Sequence, residues 1–200
     1  MIARRYLIAA VGILGFTTAA PASLIFLSDL SSEPGTDPGL LNATMEFSIA
    51  GNTLTLTVTN NTADPTAYRM NELYFNAPDG VTLSFDGMPG WSMATGVHAG
   101  GFGTFDFGLT DGQGQSQSQI FPAEVVAFTF SITAGAPTEQ DFVSLFSTIP
   151  PGDMPSIVAA KFLGGPNDDS AYGASIPAPG VLALLGVAGL AGGGRRRRRR

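Results

Sequence analysis

The sequence predicts an all-β fold, an antiparallel β-sandwich of the jelly-roll or immunoglobulin-like kind, over residues 23–163. The first sign is a series of short runs in which apolar and polar residues alternate, because neighbouring side chains of a strand point to opposite faces of a sheet. Turn residues, mainly Gly, Pro, Asn and Asp, separate these runs at short intervals. The sequence has no long stripe with helical i, i+3, i+4 spacing. About eight short strands are therefore the simplest interpretation.

The clearest element is a β-hairpin around the turn dipeptide Gly51-Asn52. Apolar residues alternate with polar ones in the run 45–49 before the turn and in the run 54–58 after it. Two such runs joined by two turn residues are a strong local signature of a hairpin. The threonines between Thr53 and Thr59 are expected to face solvent, while the Leu and Val side chains face a core.

Six further strands are predicted from the same alternation and from the turns between the runs. Residues 137–141 favour a short helix, and residues 112–119 form a low-complexity polar loop. Residues 23–40 are expected to be irregular, and residues 164–175 to form a linker. The six strands are expected at residues 67–75, 81–85, 91–97, 103–109, 125–133 and 157–163.

The charge of the chain is unevenly distributed. Of its 10 Lys and Arg residues, all but Arg69 and Lys161 lie in residues 1–22 or 195–200, whereas all 16 Asp and Glu residues lie between those ends. Two cations against sixteen anions give residues 23–176 a net charge of −14. Such a segment repels nucleic acid, and it repels acidic polysaccharides and anionic membranes unless divalent cations bridge them. Cysteine is absent, which excludes disulfides and thiolate chemistry.

Residues 1–22 are predicted to be a secretory signal peptide. Arg4-Arg5 gives a positive start, residues 7–16 form an apolar run, and Ala20-Pro21-Ala22 is an A-x-A-like exit. Cleavage there would make Ser23 the new N-terminus. An uncleaved membrane anchor is the alternative, and the paired arginines also fit the start of a twin-arginine signal.

Residues 176–200 combine a proline-bracketed break, an apolar stretch and a positive end. Pro179 disfavours helix at the residue before it, so a helix can begin only after it. Residues 180–194 are uncharged and, as a helix, would span about 22 Å, less than a hydrocarbon core of about 30 Å. Residues 181–191 have no polar face, which argues against a surface helix or a nucleic-acid tail. The positive-inside rule keeps six residues cytoplasmic: Arg195, Arg196, Arg197, Arg198, Arg199 and Arg200.

This tail resembles the PEP-CTERM sorting signal, a bacterial C-terminal signal handled by exosortases. Pro177 and Pro179, the apolar run after them and the arginine end carry the resemblance, and Ala178 stands where the family usually has Glu. The resemblance implies export, transient anchoring in the inner membrane, and cleavage near the two prolines by an exosortase. It also implies a final location at the cell surface or in the extracellular polysaccharide matrix.

Few residues of the body suggest a ligand site. Trp91, the single tryptophan, could stack on a sugar with help from Tyr68, Tyr74 and Tyr172, although a lone tryptophan in a sandwich is more often a core residue. His98, the single histidine, is expected at a loop or strand end, because no nucleophile motif accompanies it.

Calcium could bind acidic pairs through oxygen ligands. Asp106 with Asp111, and Asn167-Asp168-Asp169, are the best candidates, although solvated loops are the favoured interpretation of both. We expect no metal and no cofactor.

We therefore expect a non-enzymatic exported protein with a structural or adhesive role, whose partners are signal peptidase, an exosortase, the inner membrane and extracellular polysaccharide, and not nucleic acid. Two alternatives are open: a secreted β-sandwich module that binds carbohydrate or calcium, and a surface glycoside-active enzyme.

Overall fold

The computed structural model describes residues 23–28, 41–63, 68–112, 118–164 and 170–175. These residues form ten β-strands and one short helix, α1 (Glu139–Phe142). The strands are β1 (Ser23–Ser28), β2 (Ala43–Ala50), β3 (Thr53–Asn60), β4 (Arg69–Phe75), β5 (Thr82–Phe85), β6 (Trp91–Ala99), β7 (Gly103–Asp111), β8 (Val125–Ala134), β9 (Val158–Leu163) and β10 (Ser170–Ser175).

All ten strands belong to one antiparallel sheet, in the order β5-β8-β3-β2-β1-β10-β9-β4-β7-β6. The predicted all-β antiparallel class is confirmed. Strand β10 joins a first half of the sheet (β5, β8, β3, β2 and β1) to a second half (β9, β4, β7 and β6).

The sheet curls until its two halves pack against each other. Phe75 of β4 lies 5.8 Å from Phe47 of β2 and 5.5 Å from Phe130 of β8, measured between ring centroids. Trp91 of β6 lies 4.9 Å from Phe128 of β8 in the same way. These pairs come from strands far apart in the sheet order, so one apolar core fills the space between the halves.

The predicted hairpin is confirmed as β2 and β3. Ile49 pairs with Leu54 across a two-residue loop, in which Gly51 has a φ of 61°. A positive φ at the first loop residue suits the right-handed twist of the two strands, and glycine adopts it without strain. The inward residues of β3 are fully buried and its threonines are partly or fully exposed, as the alternation predicted.

Two strands lie where the sequence predicted none. Strand β1 falls in the stretch 23–40 expected to be irregular, and β10 in the expected linker 164–175. Neither strand alternates regularly between apolar and polar residues: four consecutive apolar residues make up the middle of β1, and β10 is built from Ser, Ala, Gly and Tyr. The small residues of β10 have a packing reason, because a Cβ on Gly173 would lie 3.0 Å from the Phe162 ring. The folded domain thus extends to Ser175.

The short helix predicted near residues 137–141 is observed as α1. The Asp141 carboxylate accepts hydrogen bonds from the backbone N–H and the hydroxyl of Thr138, which closes the N-terminus of the helix. These bonds also lower the pKa of Asp141. Glu139 is buried, and its carboxylate accepts the backbone N–H of Ile49, so the helix seals the end of the β2–β3 hairpin.

Several predictions made from the sequence lie outside the described residues. These are the signal peptide, the sorting tail and most of the polar loop 112–119. Within the part of the chain that the structure describes, no helix has the length and apolar character needed to cross a membrane.

We predict that Phe75→Ala lowers the free energy of unfolding by about 3–5 kcal/mol, because it removes a fully buried ring between the two halves. The matched control is Phe146→Ala, since Phe146 is 52% exposed. Its effect should stay within about 0.5 kcal/mol. Urea denaturation of both variants measures the difference, and equal effects would contradict the assigned core.

We also predict that the body needs β10. A chain of residues 23–175 should unfold cooperatively, whereas a chain of residues 23–163 should not, because the edges of β1 and β9 would be left without their partner strand. Circular dichroism during thermal unfolding distinguishes the two. Cooperative unfolding of the shorter chain would show that the domain does not need β10 and that residues 164–175 act as a linker.

Candidate functional site

The residues expected to direct processing lie outside the described residues, but the structure places their points of attachment. These residues are Ala20 and Ala22 in the signal peptide, Pro177, Ala178 and Pro179 at the break, and the arginines 195–200. The described chain begins in β1 at Ser23, directly after the expected signal-peptide exit. It ends in β10 at Ser175, directly before the segment expected to be a sorting signal. The described residues next to the two expected signals therefore lie in neighbouring strands of one sheet.

Trp91 lies in the core and does not form a sugar-binding platform. Its side chain is 8% exposed, packs edge-on against Phe128 and donates from its indole N–H to the Ser118 carbonyl at 2.8 Å. A sugar ring needs an open aromatic face, which this residue does not offer. The possible ligand contact at Trp91 is therefore not supported, and Trp91 is a core residue, as the favoured interpretation of the sequence has it.

His98 lies near the end of β6 and helps to fix the 147–156 segment to the hairpin formed by β6 and β7. Its Nε2 lies 2.9 Å from Oδ2 of Asp153, and the same oxygen accepts the backbone N–H of Gly103 at 3.0 Å. The carboxylate thus ties the 147–156 segment to the turn between β6 and β7. Met154 reinforces the tie by donating its backbone N–H to the Gly101 carbonyl. Because the histidine side chain is 51% exposed and its contact is to this structural carboxylate, its geometry is that of a surface tether.

A polar cluster that the sequence analysis missed lies on the outer side of β4, β9 and β10. Lys161 Nζ is 3.1 Å from Glu72 Oε1, and the Tyr74 hydroxyl donates to the other oxygen of Glu72. The Lys161 ammonium also lies 5.7 Å from the centre of the Tyr172 ring. The sequence did contain a signal for this cluster, because Lys161 is the one charged residue of the otherwise apolar strand β9. A half-buried cation requires an acidic partner nearby.

The structure separates the aromatic residues proposed as a sugar platform. Tyr74 and Tyr172 lie together, with ring centroids 6.3 Å apart. Tyr68 lies in the main core, edge-on to Phe162, and Trp91 lies elsewhere in the same core. Tyr74 is itself only 3% exposed, so of these four aromatic side chains only the partly exposed Tyr172 could contact a ligand.

Two groups of the polar cluster, the Tyr74 hydroxyl and the Lys161 ammonium, have raised pKa values and therefore keep their protons at neutral pH. Burial raises the pKa of Tyr74, and its hydrogen bond to the Glu72 carboxylate raises it further. Burial by itself would lower the pKa of Lys161, but the hydrogen bond and negative charge of Glu72 outweigh it and leave the pKa raised. A protonated phenol and a protonated amine donate hydrogen bonds but do not act as general bases at neutral pH.

The predicted acidic pair of Asp106 and Asp111 is not formed. Asp106 is exposed and accepts the backbone N–H of Ala77, whereas Asp111 is buried and accepts the hydroxyl of Ser118. Residues 167–169 lie outside the described part. Among the residues described, no group of three or more His, Cys, Asp or Glu side chains could hold a metal ion.

The outer side of the first half of the sheet carries a surface that we call the hydroxyl face. The strand register aligns Phe26 of β1, Thr44 of β2, Thr59 of β3 and Val125 of β8 in one row. Phe26 and Val125 are 62% and 60% exposed. Hydroxyl-bearing and exposed apolar side chains thus share one surface with the Glu46 carboxylate, which the register places between Leu24 and Thr57. The members of this surface are Leu24, Phe26, Thr44, Glu46, Ser48, Thr55, Thr57, Thr59, Val125 and Thr129.

The raised pKa values of Tyr74 and Lys161 predict a loss of stability at alkaline pH. The folded state favours the protonated forms, so their contribution is complete below their unfolded pKa values, about 10 for both, and is lost as the pH rises through the folded values. The free energy of unfolding should fall above about pH 10. Tyr74→Phe should flatten this fall, measured by urea denaturation at several pH values. Tyr172→Phe keeps the Glu72–Tyr74 hydrogen bond and removes only the smaller contribution of Tyr172 to the two raised pKa values, so it should flatten the fall less. An identical fall in both variants would contradict the assignment.

Comparisons of the chain with family models, with curated proteins and with solved structures find no match. Each functional residue named above is therefore identified from the sequence and structure of this chain alone.

Proposed function

We propose that this chain is an exported, non-enzymatic protein of the bacterial cell surface or extracellular matrix. A signal peptide would deliver it across the inner membrane, and the PEP-CTERM-like tail would hold it there until an exosortase cleaves near Pro177–Pro179. The observation that best supports the proposal is the fit between the folded domain and the two signals. The sheet uses residues from Ser23 to Ser175, so nothing that the fold needs would be removed at either end.

The tail would leave the domain directly from an interior strand. Strand β10 pairs with both β1 and β9 and ends at Ser175, so no long tether separates the sheet from residue 176. A domain attached in this way is held close to the membrane before cleavage. After cleavage it keeps all ten strands, which suits a protein that acts as a folded unit at the surface.

The surface of the body supports a structural or adhesive role. The hydroxyl face presents hydroxyl groups that can hydrogen-bond to polysaccharide and apolar side chains that can pack on sugar rings. The strongly negative body would also interact with acidic polymers through bridging divalent cations. We further propose to class the curled sheet with β-sandwiches of the jelly-roll or immunoglobulin-like kind, because its halves pack face to face.

The proposal predicts the ends of the mature protein. Mass spectrometry of the protein from the surface fraction should show Ser23 as the first residue and a C-terminus near Pro177–Pro179, without the arginines. The matched control is a chain that ends at Ser175, which should appear in the culture medium without passing through a membrane-bound form. An intact C-terminus at Arg200 in the surface fraction would contradict sorting and leave a plain membrane anchor.

A further inference from the structure

The strand registers bring three polar residues, Asn71, Asp111 and Gln119, to neighbouring positions beside the end of β7. Glu72 pairs with Thr110, and the same register places Asn71 opposite Asp111. Met70 forms a bridge with Ile120, and continuing this antiparallel register places Gln119 opposite Asn71 as well. Asn71 is also the bulged residue of β4, at the point where the pairing of β4 with β9 shifts by one. A bulge turns a side chain away from the regular alternation between the two faces of the sheet, and bulges are common next to functional sites.

Each of these side chains has a buried oxygen without a hydrogen-bond donor. The oxygens are Asn71 Oδ1, Asp111 Oδ2 and Gln119 Oε1, and no donor reaches any of them within the described residues. The three residues are only 9%, 7% and 6% exposed. Buried polar oxygens are nearly always hydrogen-bonded, because desolvation without a new partner is costly. Three such oxygens at neighbouring register positions could share one partner, either a water molecule or a group with a positive charge.

No side chain of the body supplies that positive charge. Asp111 accepts one hydrogen bond, from the Ser118 hydroxyl at 2.5 Å, and that bond goes to its other oxygen. Lys161 pairs with Glu72, and the Arg69 guanidinium lies over the Phe121 ring at 5.7 Å. A buried carboxylate without a countercharge carries a large desolvation penalty.

We propose that Asn71, Asp111 and Gln119 form a binding site for a divalent cation of the calcium class. Calcium takes carboxylate and amide oxygens as ligands and tolerates irregular geometry, whereas magnesium usually retains several water molecules and an octahedral arrangement. One carboxylate and two side-chain amides match the calcium preference. The site differs from both acidic sites considered in the sequence, and it does not depend on the proposed sorting of the protein.

The surroundings hold the returning segment in place. The indole N–H of Trp91 donates to the Ser118 carbonyl, and the register places Trp91 opposite Asp111. Gly90 has a φ of 84°, and a Cβ there would lie 2.5 Å from the Cβ of Ser118. Glycine is therefore required for Ser118 and Gln119 to pack this closely against the start of β6. The single tryptophan of the chain thus lies beside the proposed site.

Trp91 provides a direct test with terbium(III), a luminescent ion that takes calcium ligands. Excitation of the indole should sensitise terbium emission in the purified full chain, and added calcium should reduce that emission by competition. Asp111→Asn should abolish the sensitised emission. Asp106→Asn is the matched control, because it makes the same change on the same strand at an exposed position, and it should leave the emission intact.

Gln119→Met provides a second variant in case Asp111→Asn does not fold, as judged by circular dichroism. It keeps the side-chain length and removes only the amide, so it should weaken or abolish terbium binding in a folded protein. Calcium should also raise the melting temperature of the unmodified chain and of Asp106→Asn, but not that of Asp111→Asn or Gln119→Met. Absent emission in the unmodified chain, or equal emission in folded Asp111→Asn or Gln119→Met, would overturn the proposal and leave a buried water as the partner of these oxygens.

Discussion

Phe75 packs between the two halves of the sheet, and the closure of the fold depends on the contacts it makes there. Its ring meets Phe47 and Phe130 of the first half and stacks on Phe107 of its own half at 5.4 Å. Within the described residues, β1 and β10 pair at two positions, Leu27 with Ser175 and Ser28 with Ala174. Apolar packing across the interior therefore adds to this short described ladder in holding the halves together.

Because β10 lies in the middle of the sheet, the fold can be completed only after the last part of the domain has become available. Strand β10 is the last strand of the described chain but occupies the middle of the sheet, beside the first strand, β1. Its pairing with β1 spans almost the whole domain, and such long-range contacts form slowly because loop closure must precede them. The sheet is thus complete only when residues up to Ser175 are available. If residues 176–200 act as the proposed sorting signal, they would keep the domain at the membrane during this last step.

The parts of the fold that could be predicted are those with a local signature. The β2–β3 hairpin was predictable because alternation and the dipeptide Gly51-Asn52 lie within a few residues of each other. Strand β10 was not, because small residues selected for close packing hide its alternation. The burial of Trp91 and the neighbouring register positions of Asn71, Asp111 and Gln119 depend on which strands become neighbours. Residues as distant as 71 and 119 come together only through that pairing, which no single stretch of sequence specifies.

Residues 23–176 contain few positively charged side chains, and this affects both the buried polar site and the surface of the body. Lys161 and Arg69 are the only cations of residues 23–176, and both are held by local contacts, with Glu72 and with the Phe121 ring. The remaining carboxylates cannot be neutralised by the protein, so their counterions must come from solvent. A divalent cation that satisfies the buried Asp111 would also gather at the surface carboxylates, where it could bridge them to an acidic polymer. If the protein associates with such a polymer as proposed, that association should depend on divalent cations more than on any single polar side chain of the hydroxyl face.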